Sequence, residues 1–526
     1  MAELYPILPG AKPAEGGAEE VGGKAWGLMR MAEAGLPVPP GFVLPTLWCR
    51  RRRAGALDAA ALDAALRQGI GRIEAASGLG FGAARRPLLV SVRSGAAASM
   101  PGMMETVLDV GLNAVTVQGL IRATGNPRLA WDSYRRLVAG YAETVAGLDP
   151  APFAALAREA AAAEEVAGPE GLDHRALRAL TEALLDRYRD LAGAPFPADP
   201  MVQLADAVDA VLGSWDAPKA ASYRRLRGLD DAAGTAVTVQ AMVFGNAGGA
   251  SGAGVGFTRD PATGAHELYF DFQFNGQGED VVAGRQVLRD HERLRRVLPA
   301  VWAELGDVAH GLERLFGDAQ DFEFTVQAGR LHLLQARAAK RTPWAAAVIA
   351  ADLVAEGLIT PGQALARLQG MDLGAVVRTS FAPPLPAPLA QATVAGIGVA
   401  CGPIALDPEA ACRLAAMGEP PILVRAETST ADIEGMEAAA GILTAAGGRT
   451  SHAAVVARQL GKVCLVGCPE LEIDLARRLC RIGGTALAEG EALALDGNSG
   501  AVYPGRLPVV SERPEAALAA IAGWAR

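Results

Sequence analysis

Aromatic residues are scarce, 5% of the chain, and only six cysteines are spread over 526 residues. Six irregularly placed thiols are too few for a disulfide framework, which points to a reducing cytoplasm. Cys464 and Cys468 lie close together, but no second Cys/His pair at zinc spacing accompanies them. They read as small buried apolar residues. A basic excess is also missing. Aspartate and glutamate number 58 against 49 lysines and arginines, a net charge of −9, which argues against a general nucleic-acid binder. No apolar run approaches the ~20 residues that span a bilayer, so no membrane partner is expected. Residues 1–10 lack the basic-then-apolar order of a secretory signal. There is no repeat of fixed period. There is no Walker A motif either: Gly17 and Gly22 have its first spacing, but Gly23 stands where lysine is required, and Ala25 follows Lys24.

What is present is a globular composition, 51% hydrophobic and 20% charged. The length asks for several domains of roughly 100–200 residues each. Gly22-Gly23-Lys24 precedes a helical pattern that runs to Glu33 and is closed by Gly35. Pro37, Pro39 and Pro40 stop it, and a short strand follows over 42–44. Residues 56–76 read as an amphipathic helix and 88–92 as a buried strand. A loop of small residues spans 93–104. From 114 to 226 the pattern is mostly helical. Strand signals return over 236–244 and 267–272. The glycine-rich segment 248–256 between them either lies over phosphates, glycine allowing close backbone approach, or is a flexible hairpin turn.

Residues 321–337 predict a hairpin turning at Ala328-Gly329. Alternation puts Asp321 and Glu323 on one face, with Phe322 and Phe324 on the other. On the returning strand Gln335 and Arg337 share a face, beside Leu331 and Leu333. The hairpin would bring two carboxylates, an amide and a guanidinium to one site. Carboxylates with an amide suit Mg²⁺ and phosphate oxygens, and arginine pairs bidentately with phosphate. A helix pattern covers 343–357. Pro383, Pro384, Pro386 and Pro388 mark 380–389 as a semi-rigid linker. Residues 390–504 alternate short strands with glycine turns and one clear helix, and 511–526 look like a terminal helix.

Gly447-Gly448-Arg449-Thr450-Ser451-His452 runs into Ala453-Ala454-Val455-Val456-Ala457-Arg458. The glycines allow a tight turn, and Thr450 or Ser451 suits a helix cap. His452 then stands in the first turn, where free N–H groups and the helix dipole stabilise an anion. Its imidazole, with an ordinary pKa near ~6.5, is largely neutral and nucleophilic at pH 7. Such a ring can take a phosphoryl group and pass it on. Spacing alone leaves a second reading open, in which the histidine merely satisfies backbone groups at a helix start.

This segment, with Gly461-Lys462 after it and Glu427-Thr428-Ser429 and Asp432-Ile433-Glu434-Gly435-Met436 before it, resembles the phosphohistidine domain of the pyruvate, phosphate dikinase family (PEP-utilizing enzymes). The N-terminal part resembles that family's nucleotide domain through Ser91-Val92-Arg93-Ser94-Gly95, Ser99-Met100-Pro101-Gly102-Met103-Met104 and Asp132-Ser133-Tyr134-Arg135-Arg136. Val239-Gln240, Thr258-Arg259-Asp260-Pro261 and Gly276-Gln277-Gly278-Glu279-Asp280 continue the likeness. The resemblance implies an α/β and α+β multidomain chain. An ATP-grasp-like nucleotide-binding domain would occupy 1–340, with a helical insertion at about 114–226. A helical segment and linker would follow over 341–389, a swivelling phosphohistidine domain over 390–505, and a C-terminal helix over 506–526.

By the same resemblance Lys24, Arg93 and Arg337 bind ATP phosphates, and Glu323 and Gln335 hold magnesium. Gly102, Thr106, Gln240, Glu279 and Asp321 belong to the ATP site, and Arg135 and Thr450 match further site positions. ATP would phosphorylate His452 and leave AMP, the γ-phosphate going to inorganic phosphate or to water. Family members also carry a barrel that binds pyruvate or phosphoenolpyruvate. Residues 505–526 cannot hold a barrel of roughly 250 residues, so the expected partner is a separate barrel protein. A different phosphoryl acceptor, a non-catalytic relative and a homodimer remain open alternatives.

Overall fold

A computed structural model describes residues 3–97, 100, 104–277, 291–447 and 452–524. The first sheet is built from β1 (Tyr5–Ile7), β2 (Gly41–Leu44), β3 (Val90–Gly95), β4 (Thr106–Val110) and β5 (Ala236–Ala241). Their spatial order is β1-β2-β5-β3-β4, all antiparallel. Between β4 and β5 the chain is helical, from Thr116–Thr124 to Pro218–Arg227. These helices cover one face of the sheet and bury Val90, Val92, Val237 and Val239. Helix α1 (Gly23–Glu33) starts against the end of β3. Gly22 has φ of 80°, and a Cβ there would lie 2.3 Å from the Gly95 carbonyl oxygen, so only glycine fits. The Gly23 N–H donates to the Ala96 carbonyl at 3.0 Å. The two glycines therefore seat the helix start, with Lys24, on the strand that carries Arg93.

The second sheet is β6 (Gly252–Phe257), β7 (Tyr269–Phe274), β8 (Gln320–Gln327) and β9 (Arg330–Ala338), in the order β9-β8-β6-β7. Phe270, Phe272, Phe322 and Phe324 leave its inner face and pack with Met29 and Met31 of α1 and with α2 (Pro299–Phe316). This explains the glycine-rich segment. Its second half is neither a phosphate loop nor a turn but strand β6. A Cβ at Gly252, Gly254 or Gly256 would lie 2.2, 2.4 or 2.5 Å from the rings of Phe272, Phe324 or Phe322. The missing side chains make room for three phenyl rings.

Arg259, fully buried just after β6, ties this sheet to the helices beyond it. It donates to Glu313 on α2 at 2.9 Å, and to Glu356 at 2.7 Å just past α3 (Pro343–Ala355). From α3 and α4 (Pro361–Leu368) the chain enters the second half through Arg378–Phe381. It returns through Val509–Glu512, which pairs antiparallel with that strand. The helix expected over 511–526 therefore begins later, as Glu515–Trp524. Its Ile521 and Leu518 pack with Ala345, Ile349 and Leu353 of α3. Segment 390–504 thus hangs on two strands that pair with each other.

Its central sheet has a parallel core: β10 (Val399–Ala405), β11 (Ile422–Arg425), β12 (Gly441–Thr444) and β13 (Val463–Val466). Helices α5 (Pro408–Ala416), α6 (Ile433–Ala438) and α7 (His452–Leu460) follow β10, β11 and β12. Cys464 and Cys468 are buried thiols outside any disulfide, as expected. Among the described residues no helix is long and apolar enough to cross a membrane.

Candidate functional site

The hairpin β8–β9 carries most of the site. Ala328 and Gly329, with φ of 49° and 76°, form the two-residue turn the sequence predicts. From that turn the pairing runs Gln327↔Arg330 to Phe324↔Leu333. It then shifts by one residue, so that Glu323 faces Gln335 and Asp321 faces Arg337. Leu334 is the extra residue of a β-bulge. Its effect is decisive. In an unbroken ladder Gln335 and Arg337 would share the inner face with Leu331 and Leu333, as alternation alone suggests. The bulge moves them to the other face, opposite the two carboxylates.

On that face the Arg337 Nε donates to the Asp321 carboxylate at 2.8 Å. The second oxygen of Asp321, Oδ1, is buried without a hydrogen-bond partner. Lys24 joins the same group. Burial lowers its pKa below the usual lysine value, the positive charges of Arg93 and Arg337 lower it further, and Glu323 partly offsets them. Residues 24, 93, 323 and 337, scattered over the sequence, therefore share one electrostatic neighbourhood.

The first sheet contributes a polar stripe. Arg93 pairs with both Thr106 and Thr238, and Ser91 pairs with Gln240. Directly paired residues share a face, so Arg93, Thr106 and Gln240 all point away from the helical layer. Gln240 is buried, and its Nε2 donates to the Pro39 carbonyl at 2.9 Å. Arg135 stands elsewhere, on Pro127–Thr144, where it pairs with the buried Asp132 together with Arg136. Burial alone would raise the Asp132 pKa, but the two arginines overcome this and hold it below the usual range. Gly102, Glu279 and Thr450 lie outside the described residues.

Two residues were missed in the sequence. Asp271 on β7 lies in register with Val255 on β6, which pairs with Glu323. It therefore shares the carboxylate face. The alternation Phe270-Asp271-Phe272-Gln273-Phe274 carries that signal. Thr238 is buried beside Arg93 and had no local signal.

His452 is the first residue of α7, immediately beyond the loop that leaves β12. β10 to β13 are parallel, so this helix starts at the carboxyl edge of the sheet, where open α/β sheets bind ligands.

Residues 54–299 match the family model of the pyruvate phosphate dikinase AMP/ATP-binding domain, and residues 417–500 match the mobile domain of PEP-utilising enzymes. The chain is 41% identical to the pyruvate, phosphate dikinase of Rhizobium meliloti, over 98% of this chain and 59% of that protein. It is also 41% identical to the dikinase of Clostridium symbiosum, over 96% of this chain and 58% of that protein. The chain is thus similar to the nucleotide-binding and mobile domains of the pyruvate phosphate dikinases. It spans about three fifths of the length of these dikinase relatives. The dikinase AMP/ATP-binding match contains Arg93, Thr106, Arg135 and Gln240, whereas Lys24 precedes it and the β8–β9 hairpin follows it.

Proposed function

We propose that this chain uses ATP and phosphate to phosphorylate His452, releasing AMP and pyrophosphate, and that the phosphoryl group then passes to pyruvate bound outside residues 1–526. The observation that carries this reading is the convergence of Lys24 from a helix, Arg93 from the first sheet, and Glu323 and Arg337 from the second in one electrostatic neighbourhood, in a chain that also opens a helix with His452. Three cations suit a triphosphate, with the arginines able to grip phosphate bidentately. The nucleotide lies between the polar stripe of the first sheet and the carboxylate face of the second, in an ATP-grasp-like manner.

The donor set also fits magnesium. Glu323 and Gln335 are cross-strand neighbours, and Asp321 Oδ1 beside them is buried with no partner. Among the described residues no cluster of three or more histidine, cysteine or acidic ligands is gathered. Phosphate oxygens and water would complete the coordination, the usual arrangement for this ion. Bound there, it would neutralise charge on the phosphates as it builds in the transition state.

The neutral His452 ring attacks the β-phosphorus. The bond from that phosphorus to the oxygen shared with the α-phosphate breaks, and AMP leaves with its electron pair. Inorganic phosphate then takes the γ-phosphoryl group as pyrophosphate, leaving one phosphoryl group on the ring.

Segment 390–504 swings on the ribbon of Arg378–Phe381 and Val509–Glu512. The ribbon meets the amino end of β10, where the Val399 N–H donates to Thr379 Oγ1 at 3.4 Å. His452 stands at the opposite, carboxyl edge of the parallel strands. Each residue of strand adds about 3.3 Å, so a rotation at the ribbon carries that edge along an arc of strand-length radius.

The test is incubation with β-³²P-labelled ATP and Mg²⁺, with and without phosphate. Wild type should become labelled, His452→Ala should not, and pyrophosphate should require phosphate. A barrel protein supplied separately with pyruvate should then remove the label. Stable label on His452→Ala, or none on wild type, overturns the assignment.

A further inference from the structure

The ribbon of Arg378–Phe381 and Val509–Glu512 joins the two halves of the chain, and its two ends are held differently. Toward segment 390–504 it is held by packing and by backbone groups. Phe381 is buried and packs with Ala494, Ala501 and Tyr503. Asn498 Nδ2 donates to the Thr379 carbonyl at 3.0 Å, beside the bond from the Val399 N–H to Thr379 Oγ1. Toward α3 the attachment is looser. Val376 and Pro514 are buried, but Val377 and Arg513, which link them to the two strands, are exposed. Two arginine side chains bridge this gap. Arg513 Nη2 donates to the Leu373 carbonyl at 3.4 Å. Arg378 lies over the indole of Trp344, in the first turn of α3, with its guanidinium carbon 4.9 Å from the ring centre. Its Nη2 also pairs with Glu512, its register partner, at 3.3 Å.

The stack on Trp344 is attractive, but it leaves the arginine incompletely satisfied. Among the described residues Arg378 Nε has no hydrogen-bond partner, and it is closed off from solvent. Parting from the indole would return that N–H to water, which offsets part of the lost cation–π attraction. Such a contact is strong enough to bias an equilibrium and weak enough to open. We propose that Arg378 and Trp344 form a clasp that opens when segment 390–504 swings. The ribbon then travels with the segment as one body, and the pivots are Val377 and Arg513. One exposed residue on each strand can absorb the φ/ψ change of a hinge. The packing of Phe381 and the bonds to Thr379 stay intact throughout. This role rests on the swing proposed above.

The experiment compares wild type with Trp344→Leu, Arg378→Met and Trp344→Phe in the full chain. Leu226 and Met417 are exposed, one on each side of the ribbon. Azidophenylalanine at both positions takes a donor and an acceptor dye without involving the six cysteines. Single-molecule energy transfer then reads the populations of separations between the two halves. In the ligand-free wild type the clasped separation should dominate. Trp344→Leu and Arg378→Met should each shift the ratio of the two populations roughly 3- to 10-fold away from it. Trp344→Phe keeps an aromatic face and should stay within about twofold of wild type. Hydrogen exchange at the Ala382 and Val399 N–H groups should be the same in all four proteins, because the ribbon and the segment stay joined. A merely structural tryptophan would lower the melting temperature without moving the populations. Unchanged populations in Trp344→Leu overturn the clasp and leave the swing intact. Faster exchange at Ala382 and Val399 in Trp344→Leu also overturns it, since the ribbon then parts from the segment. A single separation in wild type, with and without Mg²⁺ and ATP, removes the swing and this inference with it.

Discussion

Lys24→Met separates what the cation cluster does for binding from what it does to stability. Lys24 is partly exposed and lies within electrostatic reach of Arg93 and Arg337, with Glu323 offsetting them in part. Asp321 is already engaged by Arg337. At Lys24 desolvation and the two arginines together outweigh Glu323, so its charged form is disfavoured in the ligand-free chain. Solvent screening at this exposed side chain holds that penalty to about 0.5 kcal/mol. Methionine keeps the length and apolar stem of lysine without the charge. The ligand-free variant should melt roughly 1–2 °C higher than wild type. Its affinity for ATP should fall roughly 10- to 100-fold, the worth of one charge-assisted hydrogen bond to a phosphate.

The pH dependence follows from the direction of the shift. The lysine pKa is lowered in the folded chain, so between that value and the usual 10.5 the unfolded chain holds more protons. The penalty is full below the folded value and fades as pH rises toward the unfolded one. The melting difference between variant and wild type should therefore narrow on the alkaline side. Differential scanning fluorimetry over pH, with titration calorimetry for ATP, reads both effects. A ligand-free Lys24→Met that melts lower than wild type and binds ATP equally well would refute the reasoning.

Arg259→Met should lower stability by about 3–5 kcal/mol in urea unfolding, because it strands the buried Glu313 carboxylate; an unchanged midpoint would show that the pair contributes nothing. Gly254→Ala should cost about 1–3 kcal/mol by driving a methyl group into the Phe324 ring. Phe324→Leu in the same chain should recover part of that loss, and strict additivity in the melting temperatures would contradict the packing argument. Asp132→Asn should be less stable than wild type at pH 7, losing two arginine partners. Because the Asp132 pKa is lowered, its contribution is present above the usual carboxylate value of 3.8 and is lost as pH falls through the lower folded value. The two melting curves should converge in acid, and a constant gap would refute that origin. Deleting Leu334 removes the bulge yet keeps Glu323 opposite Gln335 and Asp321 opposite Arg337 in a regular ladder. ATP binding, followed by calorimetry, should survive this deletion, and its loss would mean that the bulge shapes the site beyond register.

The sequence by itself determined the features that depend on near neighbours. The turn at Ala328-Gly329, the opposed faces of Asp321/Glu323 and Phe322/Phe324, and the helix starts after Gly22 and before Ala453 all follow from local preferences. Pairings between distant segments were decided only by the tertiary structure. Alternation put Gln335 and Arg337 on the apolar side, and only the ladder against β8 reveals that Leu334 is extruded. Glycines 252, 254 and 256 read as a loop because the phenyl rings that occupy their missing side chains come from strands that follow in the chain. Val509–Glu512 looked helical until Arg378–Phe381, far back in the chain, gave its backbone a partner. Lys24 reached Glu323 and Arg337 by the same route. Local sequence sets which conformations are cheap, but which segments bury one another depends on contacts whose loop-closure cost no short window contains.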